Sequence, residues 1–126
     1  EVCKSLADYV FLDCTSSLDD PLSVYGMAAA DKAVQLVTPD IRSAAYYASF
    51  EKTYEQVKGK SIGVINITDK DLYLPVGGVK AGFSNAKYIL PYSMYLKQQY
   101  ITGELTHKIP DQKFSAVCRG IAGAVL

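Results

Sequence analysis

The sequence has no tryptophan, a single histidine and no net charge. Its 13 basic residues balance 13 acidic residues over a length of 126. Balanced charge removes the long-range field that draws proteins to nucleic acid, so we expect no direct nucleic-acid binding by this chain. Hydrophobic residues make up 49% of the sequence and charged residues 21%, which is typical of one globular domain with a core.

Long apolar runs and paired cysteines are also scarce. No run approaches the roughly 18–20 apolar residues of a membrane span. We therefore expect a cytoplasmic protein without a membrane span. The sequence does not decide whether the intact protein contacts a membrane surface. Cys3, Cys14 and Cys118 are odd in number and lack a C-x-x-C spacing. They predict buried free thiols in a reducing compartment rather than a disulfide framework or a zinc site.

Apolar runs alternate with helical patterns along the chain. The continuous runs predict buried parallel strands at residues 9–12, 33–37, 61–67 and 87–90. Helical spacing and caps predict helices over residues 21–30, 41–57, 94–102 and 112–125, with a helical turn at 69–73 and a glycine-rich loop near 75–82. This order predicts an α/β fold, a three-layer, mostly parallel sheet with helices on both faces and right-handed crossovers.

Polar residues follow each predicted strand, where parallel sheets bind ligands. Asp13, after four apolar residues, has the form of a carboxylate that holds a water on Mg²⁺ beside nucleotide phosphates. The Asn66 amide can donate to and accept from a purine ring at once. The same residue types also cap helices and close turns, so each motif alone leaves a structural role open.

Taken together, these motifs resemble the carboxyl-terminal half of the MinD/ParA family of deviant-Walker P-loop ATPases. The resemblance spans residues 6 to 95 and implies a partial P-loop NTPase-like domain that dimerises with a second copy. Such proteins position division, plasmid, pilus or secretion machinery in the bacterial cytoplasm. The motifs that carry it are Tyr9-Val10-Phe11-Leu12-Asp13, Ala30-Asp31, Val34-Gln35-Leu36-Val37-Thr38-Pro39-Asp40, Gly63-Val64-Ile65-Asn66 and Ile89-Leu90-Pro91-Tyr92.

The resemblance also implies ATP and Mg²⁺ as cofactors and assigns roles to single residues. Asp13 corresponds to the aspartate on the magnesium side, and Asn66 to the asparagine that contacts adenine. Pro91 and Tyr92 correspond to the loop that closes over the base. The switch region that senses the γ-phosphate corresponds to Thr15, Ser16 and Ser17. Family members commonly carry Pro or Gly shortly after the aspartate, which this chain lacks.

A phosphate loop is missing from the sequence. No glycine-rich run ends in Gly-Lys-Ser/Thr, and the nearest candidate, Gly77-Gly78-Val79-Lys80, is not followed by Ser or Thr in the right place. In the family the loop lies upstream of the Walker B strand. We therefore expect this chain to be a piece of a longer protein. We expect ATPase activity only where an upstream segment supplies the loop, because no segment of this sequence would cradle the phosphates.

Three alternatives stay open at this point. The chain could belong to a ParA-like localisation or scaffold module without efficient ATPase activity. It could instead be an unrelated flavodoxin-like binding domain. The spacing of Asn66 and Asp69 also resembles the guanine-selecting Asn-Lys-x-Asp motif of GTPases, although Ile67 replaces the lysine.

Overall fold

The structure is a computed structural model that describes residues 2–15, 17–71, 75–83, 85–104 and 109–126. The chain divides into two compact units, Glu1–Asp31 and Lys32–Leu126. Each unit is described by itself below.

The first unit contains two helices, α1 (Val2–Leu6) and α2 (Pro21–Ala29). Helix α2 begins as predicted, because Pro21 occupies the first helical turn and Asp20 caps it. The Asp20 Oδ1 atom accepts a hydrogen bond of 3.1 Å from the backbone N–H of Leu22.

The predicted strand over residues 9–12 is not formed, so this prediction is wrong. These residues have no regular secondary structure. Their side chains are exposed, Phe11 by 81% and Tyr9 by 60%. A strand forms only where a neighbouring strand can pair with its backbone N–H and C=O groups. An apolar sequence indicates burial but does not show that such a neighbouring strand is present. Asp13 therefore follows an irregular segment rather than a strand.

The second unit is built on a parallel sheet of three strands, β1 (Ala33–Val37), β2 (Ser61–Asn66) and β3 (Ala86–Leu90), in the order β1-β2-β3. The other three strand predictions are confirmed to within one residue at each end. Central strand β2 carries the most deeply buried side chains, Val64 and Ile65, which are both 0% exposed. The predicted α/β class is thus confirmed, in the form of a small parallel sheet with helices.

Ile65 lies at the centre of the hydrophobic core. It packs with Val79 and Phe83, and the half-buried Ala44 and Tyr47 pack against this cluster. Ala44 and Tyr47 belong to α3 (Ile41–Ser49), and Val79 belongs to α5 (Val76–Gly82). Residues 76–82 were predicted as a loop because of their glycines. They form a helix because burial of Val79 outweighs the low helix propensity of glycine.

The predicted helix over residues 41–57 is interrupted at Phe50. Helix α3 ends at Ser49, and α4 (Glu51–Val57) begins beyond Phe50, which has φ −114° and ψ 18°. The Phe50 N–H is shared between the carbonyls of Tyr46 and Tyr47, at 3.3 and 3.1 Å. A 3₁₀ turn (Lys58–Lys60) then leads into β2, so Gly59 is not the left-handed cap expected there.

The last two helices match their predicted bounds, α6 (Met94–Thr102) and α7 (Gln112–Val125). Helix α6 ends at Gly103, which has φ 72°, a left-handed conformation that glycine adopts without strain. Helix α7 contacts β3 where the Tyr88 hydroxyl donates to the Gly120 carbonyl at 3.0 Å. Among the helices that the structure describes, none is long and apolar enough to cross a membrane.

The cysteines are free, as predicted, but they are less buried than predicted. Cys3 and Cys14 are exposed and Cys118 is half-buried. Cys14 is exposed because the apolar segment before it is not packed as a strand. Burial raises the pKa of the Cys118 thiol above its ordinary value.

Candidate functional site

The three strands bring their carboxyl ends to one edge of the sheet. Val37 of β1 is level with Ile65, and Asn66 of β2 is level with Leu90 of β3. One further hydrogen bond, from the Ile67 N–H to the Leu90 carbonyl at 2.9 Å, extends the pairing past the end of β2. Thr38–Asp40, Asn66 and Pro91–Tyr92 therefore lie at the ends of adjacent strands, as predicted. Asp13 was predicted at the same edge, but it follows no strand.

Asp40 forms the β1 corner of this edge. Its carboxylate accepts hydrogen bonds from the Thr38 hydroxyl, from the Ser43 N–H at 2.9 Å and from the Ser43 hydroxyl at 3.2 Å. These hydrogen bonds hold the pKa of Asp40 below its ordinary value, and the bond from the Thr38 hydroxyl has the largest effect. Asp40 is therefore ionised at neutral pH, and its oxygens are engaged in capping α3.

Asn66 occupies the middle of the edge with its side chain half-buried. Within the described residues its amide makes no hydrogen bond, in contrast to the carboxylate of Asp40. A side-chain amide has two donors and an acceptor, and here they remain available to a ligand.

Pro91, Tyr92 and Ser93 form the β3 corner. Pro91 and Tyr92 are half-buried, and the Tyr92 hydroxyl makes only a weak contact of 3.9 Å with the Met94 sulfur. The Tyr92 ring is thus a partly accessible flat surface just after the end of β3. Tyrosine in such a position can stack on a base and still keep its hydroxyl in solvent.

Ser93 is a polar residue at this edge that the sequence reasoning missed. It is 4% exposed, precedes the first turn of α6, and its hydroxyl has no hydrogen-bond partner among the described residues. A buried hydroxyl without a partner costs about 1–3 kcal/mol. Serine immediately before a helical pattern is a recognised N-cap signal, and this signal could have identified the position.

The other predicted site residues lie in the first unit. Asp13 is exposed, and within the described residues its carboxylate makes no hydrogen bond. The Thr15 hydroxyl donates to Asp20 at 3.2 Å and lies 3.0 Å from the Ser23 hydroxyl. The Ser17 hydroxyl accepts from the Asp19 N–H at 3.3 Å, while Ser16 lies outside the described residues. The roles of Asp13, Thr15, Ser16 and Ser17 stay predictions.

The hydrogen bonds around Asp20 have an electrostatic consequence. The Leu22 N–H, followed by the Ser23 and Thr15 hydroxyls, holds the pKa of Asp20 below its ordinary value. The Thr15 hydroxyl is therefore part of a local network around an ionised cap.

No group of three or more His, Cys, Asp and Glu side chains that could hold a metal gathers within the described ranges. Mg²⁺ beside nucleotide phosphates requires only one or two carboxylates, since water and phosphate oxygens complete its shell. A single open carboxylate such as that of Asp13 fits this limited role. It does not fit a metal site made of protein ligands alone.

Comparison of the chain with protein-family models, with curated proteins and with solved structures finds no match. The functional interpretation therefore depends on the residues at the strand ends and on their geometry.

Proposed function

We propose that this chain is the carboxyl-terminal part of a nucleotide-switched ATPase of the MinD/ParA kind, with an upstream segment supplying the phosphate loop. The observation that supports this most is the pairing of Asn66 with Leu90 at the carboxyl edge of the sheet, extended by the hydrogen bond between Ile67 and Leu90. A side-chain amide with free donors and an acceptor thus ends β2, and a Pro-Tyr pair follows the neighbouring parallel strand β3.

The packing around β2 supports the three-layer, P-loop NTPase-like form of this proposal. Val64 and Ile65 are adjacent in a strand, so they face opposite sides of the sheet, and both are fully buried. Ile65 packs with residues of α3 and α5. Tyr88, level with Val64, reaches α7. Helices on both faces are the arrangement expected of a buried parallel sheet.

In the proposed complex each residue has a limited task. Asn66 hydrogen-bonds the adenine ring, and Pro91 and Tyr92 cover the base. Asp13 would hold a water molecule on a bound Mg²⁺ ion. That ion would neutralise phosphate charge. Thr15, Ser16 and Ser17 respond to the γ-phosphate. The isolated chain does not hydrolyse ATP, because the phosphate cradle lies in the upstream segment.

The dimer would act in the cytoplasm by positioning a partner protein of a division, plasmid, pilus or secretion system. A nucleotide switch suits this task, because a bound nucleotide can shift a protein between two states that a partner distinguishes.

A second candidate is a ParA-like scaffold or localisation module without efficient ATPase activity. The hydrogen bonds of Thr15 to Asp20 and Ser23 favour it. A hydroxyl held in the cap of α2 must break these bonds before it can follow a γ-phosphate. Nucleotide would then bind without rapid turnover.

An equilibrium titration with Mg-ATP, on a protein that includes the upstream segment, tests the proposal. We expect Asp13→Ala to weaken Mg-ATP binding by about tenfold or more, and to weaken binding of ATP without Mg²⁺ much less. Asp19→Ala is the matched control, since it removes an exposed carboxylate from the same region. Unchanged Mg-ATP affinity in Asp13→Ala would contradict the assignment, and slow turnover with intact affinity would favour the scaffold.

A further inference from the structure

An open cavity of about 350 Å³ lies between the α3–α4 segment and α5. Its walls are small side chains, Ala44 and Ala48 on one side and Gly78 and Gly82 on the other. A Cβ atom placed on Gly78 or Gly82 would meet no atom within 4 Å, so the glycine wall is not filled by neighbouring residues. This volume falls within the range of small-molecule sites, roughly 300–1,000 Å³.

Two aromatic rings line the cavity between these walls. The Tyr47 and Phe83 rings meet edge to face, with centroids 4.7 Å apart and planes at 70°. The Tyr54 ring stacks on Tyr47 at 4.7 Å and 9°. Phe83 is 3% exposed and belongs to the core cluster of Ile65. The aromatic part of the cavity is thus held in place by the fold, and the half-buried Tyr47 is the more accessible of its two rings.

Among the described residues that line the cavity, Glu51 is the one with an acidic or basic side chain. It lies in the first turn of α4, where the helix dipole favours a carboxylate. Within the described residues it makes no hydrogen bond or contact ion pair. Lys58, which pairs with Glu55 at 2.8 Å, interacts with Glu51 only through space. The cavity therefore combines an apolar interior with one exposed carboxylate that forms no contact ion pair, which is the complement of an amphipathic cation.

We propose that this cavity binds a small primary amine with an aromatic or branched aliphatic body, the body against Tyr47 and Phe83 and the ammonium group against Glu51. Because Glu51 is exposed, water solvates its carboxylate when a neutral ligand binds. An ammonium group gains a Coulombic attraction to this carboxylate, whereas an anion is repelled by it. None of the lining residues follows a strand end, so this site is independent of the proposed nucleotide site.

The first test compares 2-phenylethylamine with phenylacetate, probes of equal size and opposite charge, by NMR titration of the full chain. We expect the amine to give saturable shifts at the backbone amides of Ala44 and Gly78, and phenylacetate to bind at least about fivefold more weakly. Glu51→Gln should remove this preference, whereas Glu104→Gln, an exposed carboxylate outside the cavity, should retain it. Equal binding of both probes, or no saturable binding of either, would overturn the proposal.

The second test fills the cavity. Gly78→Leu places a side chain in the open space, and Gly77→Leu makes the same change on the same helix outside the cavity lining. Both variants remove a helical glycine, so effects on helix stability are shared, and amide spectra show whether each is folded. We expect amine affinity to fall at least tenfold in Gly78→Leu and to persist in Gly77→Leu. An equal loss in both variants, or no loss in Gly78→Leu, would contradict the assigned location.

Discussion

The hydroxyl of Tyr88 on β3 donates a hydrogen bond of 3.0 Å to the backbone carbonyl of Gly120 on α7. The contact requires a close approach, since a Cβ atom on Gly120 would lie 3.1 Å from the Cε1 atom of Tyr88. The absence of a side chain at position 120 thus allows α7 to lie close against β3 at Tyr88.

A β-branched residue at position 120 should loosen α7. We expect Gly120→Val to lower the free energy of unfolding by about 1–3 kcal/mol relative to Gly123→Val, because overpacking forces the ring or the helix to move. Gly123 is the matched control, as a Cβ there would meet no atom within 4 Å. Urea denaturation measures the difference, and equal stability of the two variants would show that α7 does not pack through Gly120.

A second close approach fixes the amino end of the β2–β3 pair. A Cβ atom on Gly63 would lie 2.7 Å from the backbone carbonyl of Asn85, to which the Gly63 N–H donates at 2.9 Å. We expect Gly63→Ala to destabilise the protein by at least about 2 kcal/mol, since backbone atoms cannot rotate away. Gly59→Ala, with no atom within 4 Å of its added Cβ, should change stability by less than about 0.5 kcal/mol. A Gly63→Ala variant as stable as the parent would contradict this packing.

The Asp40 cap predicts a pH-dependent contribution to stability. Its pKa is lowered in the folded state from an ordinary value of 3.8, so its stabilising effect is present above about pH 4 and is lost as the pH falls through the folded pKa. At pH 7, Asp40→Ala should cost about 1 kcal/mol, the usual cost of removing an N-cap.

Urea denaturation at several pH values checks this expectation. The difference in stability between the parent and Asp40→Ala should shrink as the pH is lowered below about 4. Asp71→Ala, which removes an exposed carboxylate outside any helix, is the control for net charge. A difference that stays constant from pH 7 to pH 3 would mean that the Asp40 charge does not stabilise α3.

Local signals in the sequence predicted several elements correctly. The bounds of β1, α6 and α7 follow from short apolar runs and helical spacing. The start of α2 follows from its cap Asp20, whose carboxylate accepts from the Leu22 N–H at 3.1 Å. The placement of Asn66 and Pro91 at one edge follows from the parallel strands, because the carboxyl ends of parallel strands meet at the same edge of a sheet.

The errors arose where tertiary contacts decide the outcome. Residues 9–12 have the composition of a buried strand, but composition does not show whether another strand is available to pair with them. Residues 76–82 are glycine-rich, yet Val79 and Phe83 belong to the core around Ile65. The helix break at Phe50 could not be predicted from the sequence, because no proline or glycine occurs there.

The same limit applies to the functional sites. The residues at the strand ends could be identified from the sequence, but the unpartnered hydroxyl of Ser93 could not. The cavity beside Glu51 depends on the separation of two helices, one of which was predicted as a loop. The sequence contains Ala44, Ala48, Gly78 and Gly82 but does not show that they face a common space.

The most direct measurement of the central claim is the affinity of Mg-ATP for an Asn66→Ala variant of a protein that includes the upstream segment. Thr68→Ala serves as the control. We expect Asn66→Ala to weaken binding by about tenfold, because one to two hydrogen bonds to the ligand are lost. We expect Thr68→Ala to bind Mg-ATP like the parent. Equal affinity in all three proteins would contradict a nucleotide site at the carboxyl edge of this sheet.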